Sequence, residues 1–270
     1  METNLAEKAR QIRKDVLAMV LEAGSGHLGG SFSATDILVA LYYHQMRLFP
    51  DPNDPRRDRF VLSKGHAAPA LYAILADKGY VDKKELHRLR RLGSLFQGHP
   101  DTAKCPGLDC TTGSLGQGLS VAGGLAYGLR YQHADAKVYV LTGDGELDEG
   151  ICWEAFMSSA NFKLDNLTII IDRNGLQLSK PTEELMKLEN LHAKLEAFGL
   201  AVDEIDGHDF EAIVSALDKQ YEGKPHVIIA HTVKGKGVSF MEHEVAWHGG
   251  IPKGEQIDRA YAELGGRMNG

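Results

Sequence analysis

Two short stretches carry the residue types best suited to chemistry. In Lys137-Val-Tyr-Val-Leu-Thr-Gly-Asp-Gly145 an apolar run ends in a tight glycine turn with a carboxylate, Asp144, at its centre. In Leu167-Thr-Ile-Ile-Ile-Asp172 a second apolar run leads directly to Asn174. Both runs read as buried strands, and the segment between them, with Trp153, Phe156, Met157 and Ala160, reads as a helix. The whole is one βαβ unit whose strands lie parallel and close. Ligands of open parallel sheets bind beyond the carboxyl ends of the strands, and Asp144 and Asn174 both fall just past such ends. They can face one ligand together.

Gly143 and Gly145 also begin the Gly-x-Gly of a dinucleotide site. The third glycine of that pattern belongs at position 148, which is Asp148, so the match fails at its third anchor. A carboxylate at a phosphate-cradling turn repels a diphosphate unless a hard cation sits between the two. Asp144 therefore argues for Mg²⁺ or Ca²⁺, which take oxygen ligands. The Asp144 carboxylate, the Asn174 amide oxygen and the Leu176 carbonyl would be the protein's share of an octahedron, with diphosphate oxygens and water completing it. Taken singly, Gly-Asp-Gly is an ordinary turn and Asn174-Gly175 an ordinary hairpin signal; their separation across one βαβ unit is what makes the pair specific.

Twelve histidines are many for this length, and His27, His66 and His99 are among those that follow glycine. Their spacing does not suit zinc, and His243 and His248 are five apart. The run Thr111-Thr-Gly-Ser-Leu-Gly-Gln-Gly-Leu-Ser-Val-Ala-Gly-Gly124 opens a helix with small residues that admit a flat ring or a neighbouring helix, and helix N-termini favour polar ligands. Lys234 and Lys236, in Val-Lys-Gly-Lys-Gly, read as a solvated turn outside the site.

The elements that must position these residues alternate along the chain: helical stretches and short apolar runs bounded by Gly, Asp or Asn. That predicts an α/β fold, a mostly parallel sheet flanked by helices, in one domain over residues 1–270. Strands are expected at Phe60–Leu62, Val138–Thr142, Leu167–Ile171 and Val227–Ala230, with a weaker one at Leu200–Ile205. Polar loops fall at Asp51–Asp58 and Gly98–Gly107, a short helix at Gln256–Leu264, and a loose tail after it. Met1–Val20 reads as an amphipathic helix, not a signal peptide, and no run approaches a membrane span. The net charge of −7, spread without basic blocks, argues against nucleic acid. Cys105, Cys110 and Cys152 form no Cys-x-x-Cys pair and are read as packing residues of a reducing compartment. A soluble, cytoplasmic protein is expected.

Gly143-Asp-Gly through Asn174 resembles the thiamine-diphosphate fingerprint. Gly143-Asp-Gly-Glu-Leu-Asp-Glu-Gly-Ile-Cys-Trp-Glu-Ala155 resembles the transketolases in particular, and the similarity extends over nearly the whole chain. Ser25-Gly-His-Leu-Gly-Gly30, Leu62-Ser-Lys-Gly-His66, Gly98-His-Pro100 and Trp247-His-Gly-Gly250 each resemble a transketolase active-site motif. Two positions depart from the family's common pattern, Asp148 where Gln is usual and Ser114 where Pro is common; neither removes a ligand. The resemblance implies that His66 and His248 touch the cofactor diphosphate, and that His27, His99 and His248 surround the sugar and do the catalytic proton work. It further implies backbone contacts of Gly113, Ser114 and Leu115 to the aminopyrimidine, with Gly143, Asp144, Gly145, Glu149 and Asn174 completing the cofactor contacts. Asp144, Asn174 and Leu176 would hold Mg²⁺. Imidazole suits the task, because splitting a ketose beside its carbonyl needs protons moved near neutral pH.

In transketolases the glutamate that activates the cofactor comes from a second, pyrimidine-binding domain, often on another subunit. This chain ends before such a domain, begins with Met1 and closes on a natural-looking tail. The expectation is the N-terminal subunit of a split transketolase acting on sugar phosphates, in a heterotetramer of two plus two chains, with a contact near Gly116–Leu129. The alternatives are a subunit of a 2-oxoacid dehydrogenase or deoxyxylulose-phosphate synthase type of enzyme, or a non-catalytic cofactor-binding subunit.

Overall fold

The computed structural model describes residues 4–267. Five strands form its sheet: β1 (Arg59–Leu62), β2 (Val138–Gly143), β3 (Leu167–Arg173), β4 (Ala201–Asp206) and β5 (His226–His231). They lie in the order β1-β2-β3-β5-β4, all parallel. The register sets Gly143 beside Asp172 and Asp172 beside Ala230, so β2, β3 and β5 end at one level. β4, the weakest strand in sequence, is an edge that pairs only with β5.

Nine α-helices accompany the sheet among the described residues: α1 (Leu5–Ala23), α2 (Leu28–Ala40), α3 (Ala68–Asp77), α4 (Gln117–Tyr131), α5 (Gly150–Asn161), the single turn α6 (Thr182–Leu185), α7 (Leu191–Ala197), α8 (Phe210–Leu217) and α9 (Glu255–Glu263). Alternate strand residues divide between two cores. Tyr139, Leu141, Ile170 and Ile228 pack with α1, α2, α3 and α8. Val140, Ile169, Ile171 and Ile229 pack on the opposite face with α4, α5 and α7. Because both faces are covered, the central strands read as near-continuous apolar runs, and each such buried side chain contributes roughly 1.5–3 kcal/mol.

α2 is buried along its whole length, which explains why it carries no polar face. The N-terminal helix starts at Leu5, where Asn4 accepts from the Glu7 amide at 3.1 Å, and ends at Gly24 with φ 62°. Met1–Thr3 of the expected helix, and residues 268–270 of the expected loose tail, lie outside the described residues. No helix among the described residues is long and apolar enough to cross a membrane.

Candidate functional site

Four strands deliver their carboxyl ends to one cavity of about 260 Å³. Lys64 and His66 follow β1, Asp144 follows β2, Asn174 follows β3 and Lys234 follows β5. The Asp144 carboxylate joins two of these turns: Oδ1 accepts from the Gly145 amide at 2.7 Å and Oδ2 from the Gly175 amide at 2.6 Å, with Arg173 at 3.3 Å. Asn174 Oδ1 accepts from the Leu176 amide at 3.2 Å, closing a local turn that Gly175 enters at φ 74°. Asp144 is 2% exposed. Burial, and then the neighbouring Asp172 carboxylate, push it up, so its negative charge is under-compensated as it stands.

Two lysines reach the same cavity, both essentially buried. Lys64 forms an ion pair with the fully buried Asp172, which also accepts from Ser33 Oγ at 2.6 Å and from Thr232. Burial alone would raise Asp172, but these partners, Lys64 foremost, hold it below the usual carboxylate range.

Lys234 corrects the sequence reading. It is not a solvated turn residue but 2% exposed, donating to the Leu176 carbonyl at 3.2 Å and the Gln177 carbonyl at 2.9 Å, with His248 Nδ1 at 3.1 Å. Burial, and then Lys64, lower it from 10.5 to about 8. The turn is a turn, but it folds inward. Gly235 donates to the Gly29 carbonyl at 3.1 Å and sits at φ 82°, where a Cβ would meet Met241 O at 2.4 Å. The Val233 amide donates to His208 Nε2 at 2.8 Å, leaving His208 Nδ1 to donate to Asp36 at 2.6 Å, and Asp36 is paired with Arg13. Lys236 stays half-buried and outside the cavity wall.

His27, His66 and His248, distant in sequence, form a triangle with ring centroids 5.1–5.4 Å apart. His99 stands against Gly113, where a Cβ would lie 3.2 Å from His99 Cγ. Burial, then Arg90, lowers His27 to about 4; burial, then Lys234, does the same to His248. His66 is pushed well below its ordinary value by burial and Lys64, and His99 is lowered by burial and Arg90. All four are therefore neutral at neutral pH, each able to donate from one nitrogen and accept on the other. Gly113, Leu115, Gly143 and Gly145 line the cavity, whereas Ser114 and Glu149 are exposed beside it.

Sequence reasoning missed three charged wall residues: Lys64, Lys234 and Glu146. Lys64 stood inside a motif already singled out, and the glycines flanking Lys234 were its only signal. Glu146 also stood inside a motif, Gly143–Ala155, but nothing local marks it, since two of its partners, Ser63 and Gly116, come from distant segments.

Among the described residues no three His, Cys, Asp or Glu side chains are arranged to hold a metal. The expected donors are of another kind, one carboxylate, one amide oxygen and one carbonyl, and all three residues line the one cavity. An under-compensated buried carboxylate on one side and the buried Lys234 ammonium, which has carbonyl and imidazole partners but no carboxylate, on the other suit a cation and a polyanion bound together. Fold and site thus define a diphosphate-binding α/β domain at the carboxyl end of a parallel sheet.

Residues 4–269 match the family described as transketolase, thiamine diphosphate binding domain. The chain belongs to the transketolases, the transferases of a two-carbon ketol unit, as their thiamine-diphosphate-binding portion. It is 46% identical to an apulose-4-phosphate transketolase subunit of Phocaeicola vulgatus, over 95% of this chain and 92% of that one. It is 44% identical to a 6-deoxy-6-sulfo-D-fructose transketolase subunit of a Clostridium species, over 97% of each. The transketolase structure from Campylobacter jejuni superposes with a TM-score of 0.91 at 35% identity, covering 98% of this chain and 43% of that one. The chain thus spans about two-fifths of that longer transketolase.

Proposed function

We propose that this chain, acting as one domain over residues 1–270, is the N-terminal subunit of a two-chain transketolase that moves a two-carbon ketol unit from a ketose to an aldose phosphate. The observation that carries the reading is the single cavity in which Asp144, Asn174, His66, His248 and Lys234 converge. Two relatives that match this chain over 95% and 97% of its length are named as transketolase subunits, which supports a separate partner.

Asp144, Asn174 and the Leu176 carbonyl would hold Mg²⁺, or Ca²⁺ in its place, and Lys234, His66 and His248 would face the diphosphate. Gly113, Ser114 and Leu115 would present backbone to the aminopyrimidine, with Gly143, Gly145 and Glu149 beside the turn. When bound, thiamine diphosphate supplies the carbanion chemistry. His27, His99 and His248 do what the chain itself must do there: neutral imidazoles at the mouth orient the sugar and accept or return protons at its hydroxyl and carbonyl oxygens. The partner would supply the pyrimidine-binding domain and the activating glutamate.

The surface of α4 and α5 is the contact this reading favours. A groove of about 630 Å³ runs along it past Gly123, Gly124 and Ile151. Tyr127, Met157 and Phe162 stand about half exposed there, an apolar patch of the kind that marks an interface. A heterotetramer of two plus two chains follows if each subunit pairs with both kinds of neighbour. The free thiols Cys105, Cys110 and Cys152 suit a reducing, cytoplasmic compartment.

Two-carbon transfer from xylulose 5-phosphate to ribose 5-phosphate, with Mg²⁺ and thiamine diphosphate, tests the proposal. Apulose 4-phosphate and 6-deoxy-6-sulfo-D-fructose serve as further donors. Transfer only with the co-purified partner is expected. Transfer by the chain alone would overturn the two-chain reading, and no transfer from any donor with the partner present would overturn the enzyme reading.

A further inference from the structure

Glu146 is 2% exposed, in the short turn Gly145–Asp148 just after Asp144. Its Oε1 accepts from Ser63 Oγ and from the Gly116 amide at 2.7 Å; its Oε2 accepts from the Gly143 amide at 3.0 Å. Every one of these donors is neutral. One carboxylate therefore ties together the end of β1, the start of α4 and the end of β2.

The tie to α4 substitutes for a missing cap. Gly116 is the N-cap of α4, at φ 82°, and carries no side chain to cap it. In a capping box a Glu or Gln at the third helical position accepts from the N-cap amide. That position in α4 is Leu119, so Glu146 supplies the acceptor from another part of the chain. The α4 start is fastened to β1 in its own right: Thr112 Oγ1 donates to the Leu62 carbonyl at 2.8 Å, and a Cβ on Gly118 would lie 2.6 Å from Ser63 Oγ. The strip Gly113–Leu115 and the turn Gly143–Gly145 are thus two separately built walls of one cavity, and Glu146 bonds Gly143 in the turn and Gly116, the residue that follows the strip.

We infer that Glu146 is a positioning residue that fixes the separation between the Gly113–Leu115 wall and the Gly143–Gly145 turn, so that a single ligand can engage both at once. The inference rests on the functional reading above, in which the strip meets the aminopyrimidine and the turn meets the metal and diphosphate. Its two oxygens accept from three donors, so the tie depends on acceptor atoms at both ends of the side chain.

Glu146→Gln is the discriminating change, since it keeps size and shape while one of its two ends becomes a donor. With its oxygen toward Ser63 and Gly116, its NH₂ faces the Gly143 amide; reversed, it faces the Gly116 amide. Either way two donors oppose each other across a buried contact and that contact opens, while the other amide meets an amide oxygen in place of a carboxylate oxygen, so both amides change surroundings. Ser63→Ala, which removes one donor and leaves the carboxylate with both amides, is the control.

Calorimetric titration of the chain compares two probes, magnesium thiamine diphosphate, which spans both walls, and magnesium pyrophosphate, which reaches only the turn. In Glu146→Gln the first weakens roughly tenfold or more while the second changes less than about threefold; Ser63→Ala leaves both near native. Glycine-selective amide NMR of the ligand-free chain reads the same contact without cofactor, and the Gly116 and Gly143 resonances move together in Glu146→Gln. Equal loss of both probes, no loss of either, or movement of only one resonance overturns the inference. Failure of the native chain to bind either probe would count against the functional reading, and the paired resonances would then decide the role of Glu146 by themselves.

Discussion

Replacing Lys234 by methionine separates its cost to the fold from its use in the site. The ammonium is 2% exposed and lowered from 10.5 to about 8 by burial and by Lys64. That drop corresponds to about 3 kcal/mol spent holding the charge in place. Lys234→Met relieves this, while two carbonyls, Leu176 and Gln177, lose their donor at roughly 1 kcal/mol each. The ligand-free protein should therefore stay within about 2 kcal/mol of native stability, or gain. Cofactor affinity moves the other way. An ammonium about 4 Å from a phosphate charge at an effective dielectric of 20 is worth about 4 kcal/mol, and screening leaves roughly 2–4 kcal/mol, a loss of about 30- to 1,000-fold. The sign of the pH dependence follows too. A depressed lysine destabilises the fold while it is charged, so native stability climbs between pH 8 and 10.5, and the methionine variant lacks that rise. Thermal unfolding against pH and calorimetry with magnesium thiamine diphosphate measure both quantities. A variant that loses several kcal/mol of stability and keeps native affinity would refute the reasoning, because Lys234 would then be a structural strut.

Acid should unfold the ligand-free protein through its histidines. His27 and His248 sit at about 4 against an ordinary 6.5, so their contribution is complete above pH 6.5 and disappears as pH falls toward 4. Solvent screening at the open mouth reduces it to about 1–2 kcal/mol for the pair. His27→Asn with His248→Asn should flatten the stability profile over that window, and an unchanged profile would place the acid sensitivity elsewhere. Asp144→Asn should abolish the Mg²⁺-dependent part of cofactor binding, read as loss of the rise in melting temperature that Mg²⁺ with thiamine diphosphate gives the native chain. Phe162→Glu, on a side chain 50% exposed, should leave the monomer's melting temperature within a few degrees and abolish association in analytical ultracentrifugation; intact association would move the interface away from α4 and α5.

The sequence by itself determined the sheet and the two ends of its central βαβ unit. Short β-branched apolar runs such as Leu167–Ile171, bounded by Asn166 and Asp172, read as strands covered on both faces, and Asp144 and Asn174 fall just past the ends of those runs. The histidine motifs were legible because glycine beside histidine is a local pattern. What only the tertiary structure decided are the charges that have no local signature. Val233-Lys-Gly-Lys-Gly has the composition of a surface turn, and Lys234 is buried because Gly29 and His208, remote in sequence, draw the turn inward. Glu146 looks like any acidic residue at a helix start until α4 brings it an uncapped amide from thirty residues upstream. Local composition sets which face of an element is apolar; which polar group loses its water depends on the elements that close over it, and that is fixed only when the sheet brings four strand ends to one place.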